Sequence, residues 1–370
     1  MKVYLSGSIV GSYRAQNIIK VLGDSGISYA NIPFHYHKAG LKSKALSRVV
    51  LFFVFLLTVP ARLVMIIMAS HVIVLPMNTN AISALEILLA RILGKKVIVD
   101  FYISVFDTLV NDRKTIKKES FSARLSLFKD RLFMRLADSV IFLNNAESAY
   151  YQKVAGVELD EEKIKIIPLC IDYKKELFED VAESSRRDFN VCWWGTYIPL
   201  HGLDNLIRAF SHIEYEAVKL YIFGNSEESS RPYQDLITSL GLSKKVIVIN
   251  DCSFSNGKLA PFLKSKCDLA VGNFGSSDKA KTVLVNKLVD ALSLGVPCLT
   301  IQTQATLELL GRNEGLILTE SSPERIAESI AEAFQNPEVL KAIGDAGKQK
   351  YLEVFSPDAF KVKLLEVINE

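Results

Sequence analysis

The stretch Asn190-Val191-Cys192-Trp193-Trp194-Gly195-Thr196-Tyr197-Ile198-Pro199-Leu200-His201-Gly202-Leu203 decides the reading of the fold. An apolar run ends at one glycine, a short turn follows, and a second glycine opens the amphipathic stretch Leu203–Ser211. A run that is apolar throughout suits a parallel strand covered on both faces, and the helical period after it completes a βα unit. The unit recurs downstream, with strands expected at Lys219–Phe223, Val246–Asn250, Leu269–Asn273, Pro297–Ile301 and Leu316–Leu318. Helices are expected between them at Tyr233–Leu240, Lys258–Lys266, Lys287–Leu294 and Pro323–Phe334.

Upstream the alternation is the same. Strands are expected at Lys2–Ser6, Ser28–Pro33, His71–Pro76, Lys96–Phe101, Ser139–Leu143 and Lys165–Leu169, with helical stretches at Arg14–Gly23, Ala81–Leu93 and Ser120–Ala137. Between the two series lies the polar stretch Tyr173–Asp188, read as a linker. The pattern predicts an α/β protein of two Rossmann-like, doubly wound domains facing each other across a cleft. The first spans 1–180 and the second 188–351, with a C-terminal helix at about 352–370 packing back on the first. A chain of 370 residues suits two domains.

Hydrophobic residues make up 49% and charged residues 23%, which excludes a disordered chain. The net charge of +3 is small, but no acidic residue stands between Asp24 and Glu86, where Lys38, Lys42, Lys44, Arg48 and Arg62 occur. From Asn111 to Arg135 eight basic residues face three acidic ones, so a basic face is expected on the N-terminal half. Cys170, Cys192, Cys252, Cys267 and Cys298 lack metal or redox spacing and read as reduced thiols of a cytoplasmic protein. The opening MKVYLSG reads as a core strand and not a signal peptide.

The segment Val49–Ala69 is long enough to cross a bilayer, yet Pro60 and Arg62 interrupt it and strands of one domain flank it. A span is therefore rejected. A buried core helix and a helix lying in the membrane interface both remain open, the second placing the protein at the inner face of the cell membrane.

The first βα turn, Ser6 to Ser12, is glycine-rich but lacks the dinucleotide fingerprint, and the second expected strand ends in Pro33-Phe34 without an acid for a ribose. Both features argue against an NAD enzyme. Gly7, Gly11 and Arg14 remain a candidate phosphate or acceptor loop. In the second domain Gly195 permits a sharp turn, and Gly202 opens a helix whose free N–H groups favour an anion. His201 stands just before it as a hydrogen-bond donor to a phosphate. In Asn273–Pro297 a strand runs through Gly275 into a Ser/Lys loop, with Lys279, Lys281 and Lys287 expected near a helix start and Asp290 one turn on. Lysines there suit a diphosphate and the carboxylate suits ribose hydroxyls. A solvated basic loop is the plainer alternative. No Asp-x-Asp pair occurs in the sequence, which fits a metal-free site, and His35 and His37 read as a surface pair.

These two stretches together resemble the retaining glycosyltransferases of family 4, a GT-B family. Trp194–Leu203 is similar to their strand, glycine and Lys/His-Gly element, and Phe274–Pro297 to their E-x7-E region. The likeness is greatest to a bacterial and archaeal subgroup, whose D-x-F-x-S-x-x-D is similar to Asp100-Phe101-Tyr102-Ile103-Ser104-Val105-Phe106-Asp107. The resemblance implies a UDP- or GDP-linked sugar as co-substrate, with no other cofactor. It implies Asp290 at the ribose, Thr196 and His201 in place of the usual Arg and Lys at the diphosphate, and Lys279 and Lys287 as further charge. Thr282 stands where the family has its first acid. Asp100, Asp107 and Lys279 are the implied catalytic candidates. The expected reaction is retaining transfer of a sugar to a membrane-linked glycan or glycolipid of envelope polysaccharide synthesis. A sugar-nucleotide epimerase of the same fold and a non-catalytic scaffold are the alternatives.

Overall fold

The computed structural model describes residues 1–33, 44–172, 188–311 and 315–370. In the helix Lys44–Met68 it describes no side chain for residues 44–52 and 55. Almost all of the expected linker, and the pair His35 and His37, lie outside the described residues.

Two compact units result. One comprises Met1–Leu143, Ser148–Pro168 and Phe360–Glu370, the other Asn144–Glu147 and Leu169–Ala359. The first holds a parallel sheet of β1 (Lys2–Ser6), β2 (Ser28–Asn31), β3 (His71–Val74), β4 (Lys96–Asp100), β5 (Ser139–Phe142) and β6 (Ile164–Ile166), in the order β2-β1-β3-β4-β5-β6. Its helices are α1 (Tyr13–Asp24), α2 (Lys44–Met68), α3 (Ala81–Ile92), α4 (Phe121–Leu136) and α5 (Asn145–Ala155). Polar side chains cap their starts, as Ser12 accepts from Ala15 N–H and Asn80 from Ile82 and Ser83 N–H. Phe101, Phe133, Phe142 and Tyr151 fill the core.

The strands β2 and β3 pair in parallel with the two edges of β1. The helix between them, α2, is thus a crossover within one sheet. Among the described residues no helix is long and apolar enough to cross a membrane. One expectation fails here, because Arg62 does not belong to a basic face. It is 4% exposed and forms an ion pair with Glu86 of α3. It also donates to the Tyr4 hydroxyl at 3.3 Å and the Ile32 carbonyl at 3.1 Å. A buried guanidinium needs such partners, and they pin α2 to β1 and α3.

The second unit has β7 (Phe189–Trp194), β8 (Val218–Phe223), β9 (Val246–Ile249), β10 (Leu269–Val271), β11 (Cys298–Ile301) and β12 (Leu316–Thr319), in the order β12-β11-β10-β7-β8-β9. Its helices are α6 (Leu203–Ala209), α7 (Glu227–Ser239), α8 (Leu259–Lys266), α9 (Asn286–Leu294), α10 (Gln304–Leu310), α11 (Pro323–Gln335) and α12 (Pro337–Val354), and α13 (Pro357–Asn369) closes the chain. The chain fills one half of this sheet from β7 to β9, then returns to the other side of β7 with β10. The strand order reverses between β7 and β10, and in such sheets ligands bind beyond the carboxyl ends of the strands at that point.

Candidate active site in the second unit

Gly195 follows the last residue of β7 with φ +138°, a conformation that a side chain rarely allows. Gly202 caps α6 in the left-handed region, and a Cβ on it would lie 2.3 Å from the Phe274 carbonyl carbon. A Cβ on Gly275 would meet the Leu200 carbonyl oxygen at 2.1 Å. The loops after β7 and β10 therefore touch backbone to backbone, joined by Phe274 N–H to the His201 carbonyl at 3.0 Å. Asn205 adds a bond to the Phe274 carbonyl at 3.2 Å. The two motifs read from the sequence meet at the switch point of the sheet.

What they enclose is basic. Lys287, in the first turn of α9, is 3% exposed, and its Nζ has no hydrogen-bond partner among the described residues. It lies over the Trp193 ring, 4.2 Å from the centroid, a cation–π contact that partly replaces lost water. Burial pushes its pKa well below the usual lysine value, against weaker pulls from Cys298 and Asp290. His201 stands edge-on to the same Trp193 ring. Its Nδ1 donates to the Thr196 carbonyl at 2.9 Å. Burial, then the charge of Lys287, pushes its pKa down to about 2, opposed by the bond to Thr196. A Cβ on Gly195 would lie 3.5 Å from His201 Cε1 and 3.7 Å from Lys287 Nζ. The bare glycine thus fronts both bases. Asp290, 6% exposed, accepts from Trp194 Nε1 at 2.8 Å and is fixed on the α9 face beside β7.

The loop after β10 is shaped by Asn273. Its Oδ1 accepts from Gly275 N–H at 2.9 Å and its Nδ2 donates to the Ala280 carbonyl at 3.0 Å. Lys279 is buried in this loop, and its carbonyl accepts from Thr282 N–H and from the Thr282 hydroxyl, both at 3.0 Å. Thr282 thus turns the chain where the resemblance expects an acid. The three lysines expected near the start of α9 differ in burial, Lys279 and Lys287 being buried. Lys287 lies in the first turn of α9, whereas Lys281 is exposed, 3.9 Å from Asp278. Thr196 is exposed and contributes its carbonyl to His201.

The candidates in the first unit have other duties. Arg14 is 1% exposed and lies beneath the first loop, with Nε on Asp100 at 2.7 Å and its other nitrogens on the carbonyls of Pro168 at 2.9 Å and Ile167 at 3.1 Å. Asp100 is correspondingly closed off from any acceptor. Asp107 is fully buried, accepting from the Tyr150 hydroxyl at 2.6 Å and Asn111 at 2.9 Å. Both acids were expected to be catalytic, and both instead hold the chain. Gly7 faces Asn78, whose Cγ would lie 2.4 Å from a Cβ there, and Asn78 takes the Ser8 N–H at 2.9 Å. That N–H is spent within the protein and not left for a phosphate. Gly11, with φ +86°, has open space around it.

Sequence reasoning missed Trp193, Trp194 and Tyr197 as parts of the site. Tyr197 stacks between Trp193 and Tyr233 and bonds Asn250 at 2.8 Å. The signal was present, since a pair of large aromatics directly before the turn glycine is unusual filling for a plain strand.

Residues 175–350 match the family described as "Glycosyl transferases group 1". An MMP α-(1→4)-mannosyltransferase of Mycolicibacterium hassiacum is 24% identical over 198 residues, which is 53% of this chain and 45% of that protein, so the match spans less than half of the relative. Among solved structures, Anabaena Alr3699/HepE in complex with UDP and glucose superposes with a TM-score of 0.67 at 16% identity, over 100% of this chain and 99% of that one. WaaG, a glycosyltransferase involved in lipopolysaccharide biosynthesis, gives 0.65 at 12% identity over 100% and 99%. At such identities the superpositions establish the GT-B fold, and the family match covers a little under half of the chain.

Proposed function

We propose that this chain, a GT-B glycosyltransferase of group 1 type, moves a hexosyl or related residue from a UDP- or GDP-linked donor to a membrane-linked glycan or glycolipid. The observation that carries the donor half is the buried Nζ of Lys287, without a hydrogen-bond partner among the described residues, beside His201 at the Gly195 turn. Positive charge held in a dry pocket lacks only an anion, and a diphosphate supplies it. Asp290 then stands for the ribose.

In the reaction the bond from the anomeric carbon to the diphosphate oxygen breaks and a bond to the acceptor oxygen forms on the same face. The acceptor's proton passes to the departing diphosphate. Lys287 stabilises the charge that develops there, so no metal ion is required. Incubation with UDP- and GDP-sugars in the presence of a chelator is expected to release the matching nucleoside diphosphate. Failure of every such donor to bind or turn over would sink the reading.

The acceptor half rests on the surface of the first unit, at the cytoplasmic face of the membrane. The helix α2 is inverted. Its buried side carries Arg62 and Ile66, while Leu56, Leu57, Val64, Ile67 and Met68 are exposed. The next helix, α3, packs against both α2 and α4 and exposes Leu85 and Ile92. On α4, Phe121, Leu125 and Phe128 are exposed, at the spacing of one helix face. Beside them Arg113, Lys114, Lys117, Lys118 and Arg124 are exposed. An aliphatic face bordered by cations suits an anionic bilayer interface. The protein is expected to float with vesicles of anionic phospholipid at low salt, and Leu57→Glu with Phe121→Glu to leave it at the bottom. Equal flotation of the double variant would assign the face another role.

A further inference from the structure

His201 is oriented by the bond from Nδ1 to the Thr196 carbonyl at 2.9 Å. A carbonyl oxygen only accepts, so the ring proton of the neutral imidazole sits on Nδ1. Nε2 then carries a lone pair, and no described residue hydrogen-bonds to it. Held this way, a neutral ring has nothing to donate to a phosphate oxygen, which is the role expected from the sequence. Its surroundings explain why the ring is neutral. Lys287 Nζ is beside it at the Gly195 turn, and the Trp193 ring packs on both bases. On α9 the nearby acid is Asp290, whose Oδ2 is engaged by Trp194. No described carboxylate bonds to the ring. A second positive charge in this pocket would face Lys287 without compensation.

A diphosphate changes that balance. It brings negative charge into a space where one cation is already buried, and its oxygens need donors. We propose that a nucleoside diphosphate binds at Gly195 together with one proton, which is taken from solvent onto Nε2 of His201. The Nε2 lone pair accepts the proton, and the new Nε2–H donates to a phosphate oxygen. No covalent bond of the ligand changes in this step, and the proton returns to solvent when the nucleoside diphosphate leaves. The free protein thus keeps a single buried cation at this turn, and the second arrives with its counter-charge. His201 contacts the leaving group, so its protonation also favours departure of the diphosphate. The inference rests on the donor site proposed above.

Calorimetric titration of the intact protein with UDP and with GDP, at pH 8 in buffers of different ionisation enthalpy, reads the proton count. At that pH the free diphosphate is fully ionised, since phosphate second pKa values lie near about 6. Uptake of roughly half to one proton is expected, with affinity falling by up to about tenfold per pH unit between the free-state and bound-state pKa values of His201 and levelling off above the latter. His201→Gln keeps a side-chain N–H donor, and is expected to bind with no uptake and a flat pH dependence. A ring signal among the five histidines should also pass from the neutral Nδ1–H form to imidazolium on adding UDP or GDP, which tests the native chain directly. Binding without uptake would overturn the proposal and leave the donor site intact. Uptake that persists in His201→Gln would place the proton elsewhere and overturn it as well. Absence of binding by either nucleotide would remove the donor site, and this inference with it.

Discussion

Lys287→Met is expected to make the protein more stable and nearly unable to bind its donor. The two effects have one cause. Lys287 is 3% exposed, its Nζ has no hydrogen-bond partner among the described residues, and the Trp193 ring is its main electrostatic compensation. An ammonium removed from water costs several kcal/mol, and a desolvated cation–π contact returns about 2 kcal/mol or somewhat more. Methionine fills a similar volume and carries no charge, so the unfolding free energy should rise by about 1–3 kcal/mol. The same change deletes the cation that meets the diphosphate. Losing one partner of a buried charge contact costs about 2–5 kcal/mol, and about 1.4 kcal/mol is tenfold, so affinity for a nucleoside diphosphate should fall by roughly 100-fold. Urea unfolding and calorimetric titration on the same preparation separate the two effects. A destabilised variant with unchanged affinity would make Lys287 a structural cation and overturn its place in the site.

That opposition of stability and function explains which parts of the site were legible in the sequence. Gly195, Gly202 and Gly275 stood out in the two loop motifs, and the structure uses Gly202 and Gly275 for close backbone approaches and Gly195 for its positive φ. His201, Lys287 and Asp290 were found because helix starts beside such turns attract anions. Sequence spacing carried no information about the third dimension of the lysines. Lys281 and Lys287 are six positions apart, yet one pairs with Asp278 at the surface and the other is buried under Trp193. The tautomer of His201 was also out of reach, since it depends on a carbonyl five residues earlier that folds back on the ring. Strand positions were legible almost throughout, because parallel strands covered on both faces leave long apolar runs. The helices α5, α10 and α12 were not anticipated.

Asp100 shows how a motif can mislead. It ends β4, where a ligand-facing acid is expected, but its Oδ2 holds Arg14 and its Oδ1 is buried without a partner. Burial pushes its pKa up and Arg14 pulls it partway back. Arg14 in turn reaches the carbonyls of Ile167 and Pro168 after β6, so the pair ties α1 to both β4 and the chain beyond β6. Asp100→Ala strands a buried guanidinium and is expected to cost about 3–5 kcal/mol in urea unfolding of the first unit. Arg14→Met with Asp100→Leu removes both charges and should recover most of that loss. Arg14→Ala alone adds a pH signature. Without the guanidinium the folded pKa of Asp100 rises further above the unfolded value near about 3.9. The folded chain then holds a proton that the unfolded chain has released, so stability falls as pH rises through the folded pKa. The variant should therefore be weaker relative to the parent at pH 8 than at pH 5. A catalytic Asp100 predicts the reverse pattern: Asp100→Ala would keep its stability at both pH values and lose sugar transfer outright.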